Sequence, residues 1–156
     1  MNTASFLSIP ASIVPEQEAL VCESHRLTYA ALHARVRRLA GALAGRGVGR
    51  GTRVAALHTN SHRYVEAYYA TAMLGGVFIP VNYRAKRPEI EYMLATAETR
   101  ILFIGERYVE HLDAVRGSLP HLAAVIGFDF ERADIPSYES LLAGAAEHED
   151  EADVDD

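Results

Sequence analysis

The sequence predicts an α/β fold, a largely parallel sheet with helices on both faces. Short apolar runs without helical period recur at 53–58 (RVAALH), 77–82 (VFIPVN), 101–105 (ILFIG) and 122–128 (LAAVIGF), the pattern of strands buried on both sides. Segments with apolar residues three and four apart separate these runs, and that alternation calls for crossover connections between parallel strands. A single domain of 156 residues also buries on the order of 70% of the surface its unfolded chain exposes, enough for a two-sided core.

Taken in order, extended runs at 19–22 and 26–28 flank the polar turn Glu23-Ser24-His25 and predict a hairpin. Thr28 is placed to cap a helix, because its hydroxyl can accept from a free amide of the first turn. Leu32, Val36, Leu39, Ala40 and Leu43 then form one apolar stripe, with Arg35, Arg37 and Arg38 largely off it and a stop near Gly45 or Gly47. After the strand at 53–58, Asn60 or Ser61 caps a second helix whose inward stripe is expected to be Tyr64, Val65, Tyr68, Tyr69, Ala72 and Met73, ended by Gly75-Gly76. Pro80 predicts an edge position or an early end for the strand at 77–82. Pro88 suits the first turn of a helix in which Ile90, Met93, Leu94 and Ala97 share a face. A helix at 106–116 and a short one at 137–144 complete the expected order.

The net charge of −6 is concentrated at one end. The last ten residues, EHEDEADVDD, hold seven acids and no Lys or Arg, which leaves 14 acids against 15 bases elsewhere. The body is therefore nearly neutral and electrostatically unsuited to nucleic acid, and the tail is expected to be solvated and disordered. The domain reading is a body over 1–146 and an acidic linker or tail over 147–156. The single cysteine, Cys22, excludes an internal disulfide. No secretory pattern is present, and YYATAMLGGVFIPV is broken by Gly75, Gly76 and Pro80 well short of a membrane span. A cytoplasmic protein is expected.

The segment GRGVGRG (45–51) poses the main chemical question. A phosphate cradle follows a strand and opens a helix, so that free amides and the positive helix end face the anion. Here the glycines follow a helix and precede a strand, and their spacing fits neither G-x-G-x-x-G nor G-x-x-x-x-G-K-[ST]. The loop reads as a helix stop and turn, and no strand is followed by the glycine-rich turn that a nucleotide-binding redox domain needs. His58 and His62 stand four apart but straddle a strand end and a helix start, which disfavours a metal pair. His25, His33, His111, His121 and His148 are scattered, and Cys22 reads as a small apolar residue with no activating motif. NYRAKRP (82–88) gathers three positive charges before a helix, either as a solvated loop or as a contact for an anionic ligand, a lipid surface or a partner domain; Arg35, Arg37 and Arg38 divide the same way. The tyrosines read mostly as core or interface residues. No residue is assigned a catalytic, cofactor-binding or metal-binding role.

Residues 27–104, from LTYAALH to ILFI, resemble the N-terminal portion of the AMP-forming adenylating enzymes: acyl-CoA synthetases, luciferases and peptide-synthetase adenylation domains. The resemblance rests on an ordered set: LTY opening the first long helix, G-x-x-x-G-T-R-V-A running into a strand, Asn60-Ser61 capping the next helix, AMLGGVFIPVN (72–82), and RPEIEYML (87–94) before a strand. Within the family the wording is most similar to fatty-acyl-CoA synthetases. What the resemblance implies is the N-terminal subdomain of the adenylating-enzyme fold, an incomplete part of a larger domain. The parent would be a two-step ligase: a carboxylate oxygen attacks the α-phosphorus of ATP while magnesium and a phosphate loop stabilise the departing pyrophosphate, and coenzyme A thiolate then displaces AMP from the acyl-adenylate. The family's phosphate loop, of the form TSGTTGxPKG, is expected beyond an acidic stretch and one further strand, hence beyond Asp156. These residues are then scaffold and inactive alone, with the remainder of the ligase as partner and a homodimer through an exposed apolar face as an option for the isolated chain; nothing in the sequence supports peripheral membrane contact. The alternative is a self-contained, non-catalytic α/β binding or assembly module.

Overall fold

A computed structural model describes residues 3–153. It opens with a helix that the sequence reading does not anticipate, α1 (Ser5–Ile13). Pro10 lies inside it and no side chain caps its start, so the usual helix signals are missing. Ala4 and Leu7 are buried, and Phe6, Ile9 and Ile13 are exposed.

The hairpin forms as expected from β1 (Glu18–Cys22) and β2 (His25–Thr28), paired antiparallel. Glu23 at its tip takes a positive φ of 53°. The Thr28 hydroxyl accepts from the Ala31 amide at 3.2 Å and starts α2 (Tyr29–Ala44), whose buried face contains the predicted Leu32, Val36, Leu39, Ala40 and Leu43.

Four parallel strands form the sheet: β3 (Arg53–Leu57), β4 (Val77–Pro80), β5 (Ile101–Ile104) and β6 (Ala124–Gly127), in the order β4-β3-β5-β6. Pro80 lies on β4, at an edge, where its missing amide breaks no ladder. Alternation along the strands gives two cores. Val54, Ala56, Ile101, Phe103 and Ile126 face α1, α2, α3 (His62–Met73) and α6 (Tyr138–Ala143). Ala55, Leu57, Leu102, Ile104 and Val125 face α4 (Arg87–Thr96) and α5 (Val109–Val115). Helices thus cover both faces. The helix expected over 106–116 is divided, with a 3-10 turn at Glu106–Tyr108 before α5 and another at Arg116–Ser118 after it.

The expected inward stripe of α3 is partly right: Met73 is buried, and Tyr64, Tyr69 and Ala72 pack half-buried against the core. Ser61 does cap the helix, accepting from the Tyr64 amide at 3.2 Å, but the buried residues are His62, Glu66, Ala67, Ala70, Thr71 and Met73, and Tyr68 is 40% exposed. Ala67 and Ala70 let α3 approach α2 closely, whereas tyrosines in that seam would hold the helices apart. Tyr64 and Tyr68 instead flank it and meet Phe78 edge-on at 5.4 and 5.5 Å. Of the eight tyrosines only Tyr108 and Tyr138 are fully buried.

As far as Asp153 the acidic tail lies on the body rather than free in solvent; Val154–Asp156 lie outside the described residues. The His148 amide donates to Arg37 O at 3.0 Å and the Ala152 amide to Met73 O at 2.7 Å. Glu147 and Glu149 pair with Arg37, Glu147 also with Arg38, and Ser5 donates to Glu151. Gly41 of α2 provides the room, since a Cβ there would run into the Ala146 carbonyl.

Candidate functional site

The strand order decides where a ligand site belongs. The chain passes from β3 to β4 on one side and later to β5 on the other, so connections diverge above the carboxyl ends of β3 and β5 and leave a crevice there. His58 directly follows β3, Gly105 directly follows β5, and Asp129 stands just past β6. The three meet: His58 Nε2 lies 3.3 Å from Asp129 Oδ2, His58 Nδ1 lies 2.6 Å from Thr59 O, and Asp129 Oδ1 accepts from the Glu106 amide at 2.9 Å. Phe128 meets the imidazole edge-on at 5.4 Å. With acceptors at both ring nitrogens, each neutral tautomer donates to one of them. The pair therefore ties three rim loops together.

Beside it on the same rim, the loop after β4 and the turn after β5 enclose an open groove of about 500 Å³ lined by Tyr83, Arg84, Lys86, Arg87, Arg107 and His111, with Tyr108 behind. The sequence located the first three cations within NYRAKRP; the fold adds Arg107 and His111 from a segment twenty residues on. Asn82 Oδ1 accepts from the Arg84 amide at 2.9 Å and Glu89 Oε2 from the Lys86 amide at 2.7 Å, which fixes the loop. The Arg84 guanidinium lies 5.2 Å from the Tyr83 ring centre and that of Arg107 5.1 Å from the Tyr108 ring centre.

The glycine loop lies at the opposite rim, at the amino end of β3. Its amides are already used: Gly45 donates to Gly41 O, Gly47 to Ala44 O, Val48 to Leu43 O, Gly49 to Thr52 Oγ1 and Gly51 to Gly75 O. Gly47 and Gly51 take positive φ values of 78° and 74°, the left-handed geometry that ends a helix and turns the chain. This is an internally bonded connection with those amides committed.

His58 and His62 do not share a ligand. His62 is 6% exposed and stacks on His25 with ring centres 4.2 Å apart, and among the described residues no group of three His, Cys, Asp or Glu gathers to hold a metal. Cys22 is half-buried at the end of β1. Burial, reinforced by His25, Arg63 and Arg35, lowers the His62 pKa to about 4. Its unfolded pKa is near 6.5, so between those values the unfolded chain binds the extra proton. Stability from this group is therefore full above pH 6.5 and is lost as pH falls toward 4. The full shift corresponds to about 3 kcal/mol, and water reaching the pair past the exposed His25 reduces this to about 1–2 kcal/mol. Urea denaturation across that range, compared with His62→Gln, is expected to show the difference; parallel profiles would refute the assignment.

The arginines of α2 divide. Arg37 and Arg38 hold the tail, whereas Arg35 turns inward, its Nε 2.8 Å from Glu66 Oε1. The Tyr138 hydroxyl donates to Glu66 Oε2 at 2.5 Å. Glu139 bridges Arg35 and Arg63, and the latter lies over the Tyr138 ring. Burial pushes the Glu66 carboxyl above its usual range, against the pull of Arg35 and Tyr138. The sequence carried no sign of this network, because a lone acid in a helix resembles any surface glutamate.

Comparison with known proteins adds three findings. The family model described as AMP-binding enzyme matches residues 10–156. A long-chain-fatty-acid–CoA ligase of Thermus thermophilus is 35% identical over 94% of this chain and 28% of its own length, and an indoleacetate–CoA ligase of Aromatoleum aromaticum is 34% identical over 91% and 28%. Among solved structures, the N-terminal domain of FACL13 from Mycobacterium tuberculosis superposes with a TM-score of 0.85 at 31% identity, covering 99% of this chain and 38% of that one. The anthranilate CoA ligase AuaEII in complex with anthranoyl-AMP gives 0.93 at 22% identity, covering 97% and 30%, a likeness of fold alone.

Proposed function

The chain belongs to the AMP-binding enzyme family, and from that premise we propose that it is the N-terminal scaffold of an AMP-forming acid–thiol ligase. It spans about 28% of the length of the curated relatives it matches, so the ligase activity is proposed for the whole enzyme. The substrate proposed is a carboxylic acid, a fatty acid first, and the thiol is coenzyme A. The observation that carries the reading is continuous similarity to CoA ligases over nearly the whole chain. We place the enzyme in the cytoplasm; among the described residues no helix is long and apolar enough to cross a membrane.

The residues here do not fit magnesium-bound ATP. The named amides of the glycine loop are occupied by internal acceptors, and no metal-holding cluster gathers among the described residues. We therefore route no chemical step through these residues. Their contribution is the two-sided sheet and the rim on which a nucleotide-binding part would rest. The remainder of the ligase is the proposed partner. For the isolated chain, self-association through the apolar face of α1, where Phe6 and Ile13 are 66% and 71% exposed, is the alternative.

The test is ATP–pyrophosphate exchange with fatty and aryl acids. The 156-residue chain is expected to give none, and a ligase joined to this segment is expected to exchange. Exchange at enzyme-like rates by the chain alone would overturn the reading.

A further inference from the structure

We propose that residues 146–153 form a releasable strap, a docked segment seated over Gly41 of α2 whose hold on the body is set by ionic strength. The proposal goes beyond the ligase reading and does not rest on it.

The first argument is the seat, which is shaped for an extended backbone. Gly41 and Arg37 stand four apart on α2, so a side chain at 41 would lean over the turn that carries the Arg37 carbonyl. That carbonyl accepts from the His148 amide at 3.0 Å, and Arg37 Nε donates in return to His148 O at 3.1 Å. A Cβ at position 41 would collide with the Ala146 carbonyl and lie 3.5 Å from the His148 amide nitrogen. Farther along, the Ala152 amide donates to Met73 O at 2.7 Å. Met73 ends α3, where a carbonyl has no acceptor role left within the helix, so the strap caps that end. Ser5 of α1 donates to Glu151 at 3.2 Å, and Arg50 of the glycine loop donates to Asp153 O at 3.0 Å. One segment thus fastens three helices and a loop.

The second argument is what the strap lacks. Ala145 packs half-buried against the core, but no large apolar side chain follows it as far as Asp153. Lifting the strap therefore uncovers little apolar surface, and the sheet has no need to unfold with it. The side-chain hold is ionic. Five acids fall within 147–153; Glu147 lies 3.4 Å from Arg37 and 3.5 Å from Arg38, and Glu149 lies 3.4 Å from Arg37. Surface pairs of this length are individually weak and are screened by salt. Release bares the arginines of α2 and the end of α3, and it frees α1 from Glu151.

Amide hydrogen exchange of the 156-residue chain, followed by NMR, is the test. At low salt the His148 and Ala152 amides are expected to be protected. Raising salt from about 0.05 to about 0.5 M is expected to speed both about fivefold and to leave the Phe103 amide of β5 unchanged. Gly41→Ala is expected to speed both about tenfold, even though alanine favours a helix over glycine. Gly45→Ala is the control, because a Cβ there meets only carbonyls of its own helix, at 3.6 and 3.7 Å, and it is expected to leave both amides protected. Arg37→Gln combined with Arg38→Gln, which leaves position 41 untouched, is expected to abolish the salt response. Unprotected His148 and Ala152 amides at low salt, unchanged exchange in Gly41→Ala, or a salt response that survives the loss of both arginines overturns the strap. So does acceleration of Phe103 in step with Ala152, since the opening would then be global.

Discussion

Replacing Glu66 by Ala is expected to lower folding stability by about 3–5 kcal/mol, read as a shift in the urea midpoint at unchanged slope. Glu66 is fully buried, and both carboxylate oxygens are committed, one to Arg35 Nε at 2.8 Å and the other to the Tyr138 hydroxyl at 2.5 Å. Truncation leaves three deficits at once. Arg35 retains only the half-exposed Glu139, the Tyr138 hydroxyl loses its acceptor inside the core, and the α2–α3 seam gains a void. A cost below about 1 kcal/mol would mean that water already serves the network, contrary to the burial.

Glu66→Gln separates charge from shape. The amide keeps the volume and an acceptor for Tyr138, so its cost is expected to be about 1–3 kcal/mol. The pH dependence adds a sign. Because burial raises the Glu66 pKa in the folded state, its contribution is full below the unfolded value near 4.5 and is lost as pH rises through the folded value. His62 slopes the other way, gaining stability as pH rises from about 4 to 6.5. A raw stability profile therefore blurs the two, and the difference between wild type and each variant isolates one slope.

What the sequence made legible was whatever depends on neighbours along the chain. The Thr28 and Ser61 caps, the stripe of α2, the edge position of β4 and the helix-stop role of the glycine loop rest on contacts spanning a few residues, and all are present. The reading falls short where a distant segment decides. The α3 stripe looks tyrosine-rich until α2 demands alanines at the seam, and Glu66 looks exposed until Arg35 and Tyr138, 31 and 72 residues away, close on it. The rim site was half visible. Arg84, Lys86 and Arg87 stand in one stretch, but Arg107 joins them only through the parallel crossover, and His58 gains Asp129 across 71 residues. Helix α1 went unseen because Pro10 and an uncharged surface mask its period.

Gly105→Ala is expected to cost about 1–3 kcal/mol and to expel His58 from the rim. Gly105 has φ −84° and ψ 152°, ordinary extended backbone that alanine adopts freely, so the substitution tests space and not conformation. A Cβ there runs into the His58 ring. The ring has little freedom to yield, being bounded by Phe128, Asp129 and Thr59 O. Withdrawing the backbone instead strains the hydrogen bonds that the Gly105 amide donates to Leu57 O at 3.1 Å and the Tyr108 amide donates to Gly105 O at 3.0 Å. Either route loosens the turn that carries Arg107. If the collision is the whole effect, adding His58→Ala to Gly105→Ala restores stability, so that the double variant costs less than the sum of the singles. The imidazole resonances of His58 report the displacement directly. A stable Gly105→Ala protein with unchanged His58 resonances would show that the three rim loops are not locked through this contact.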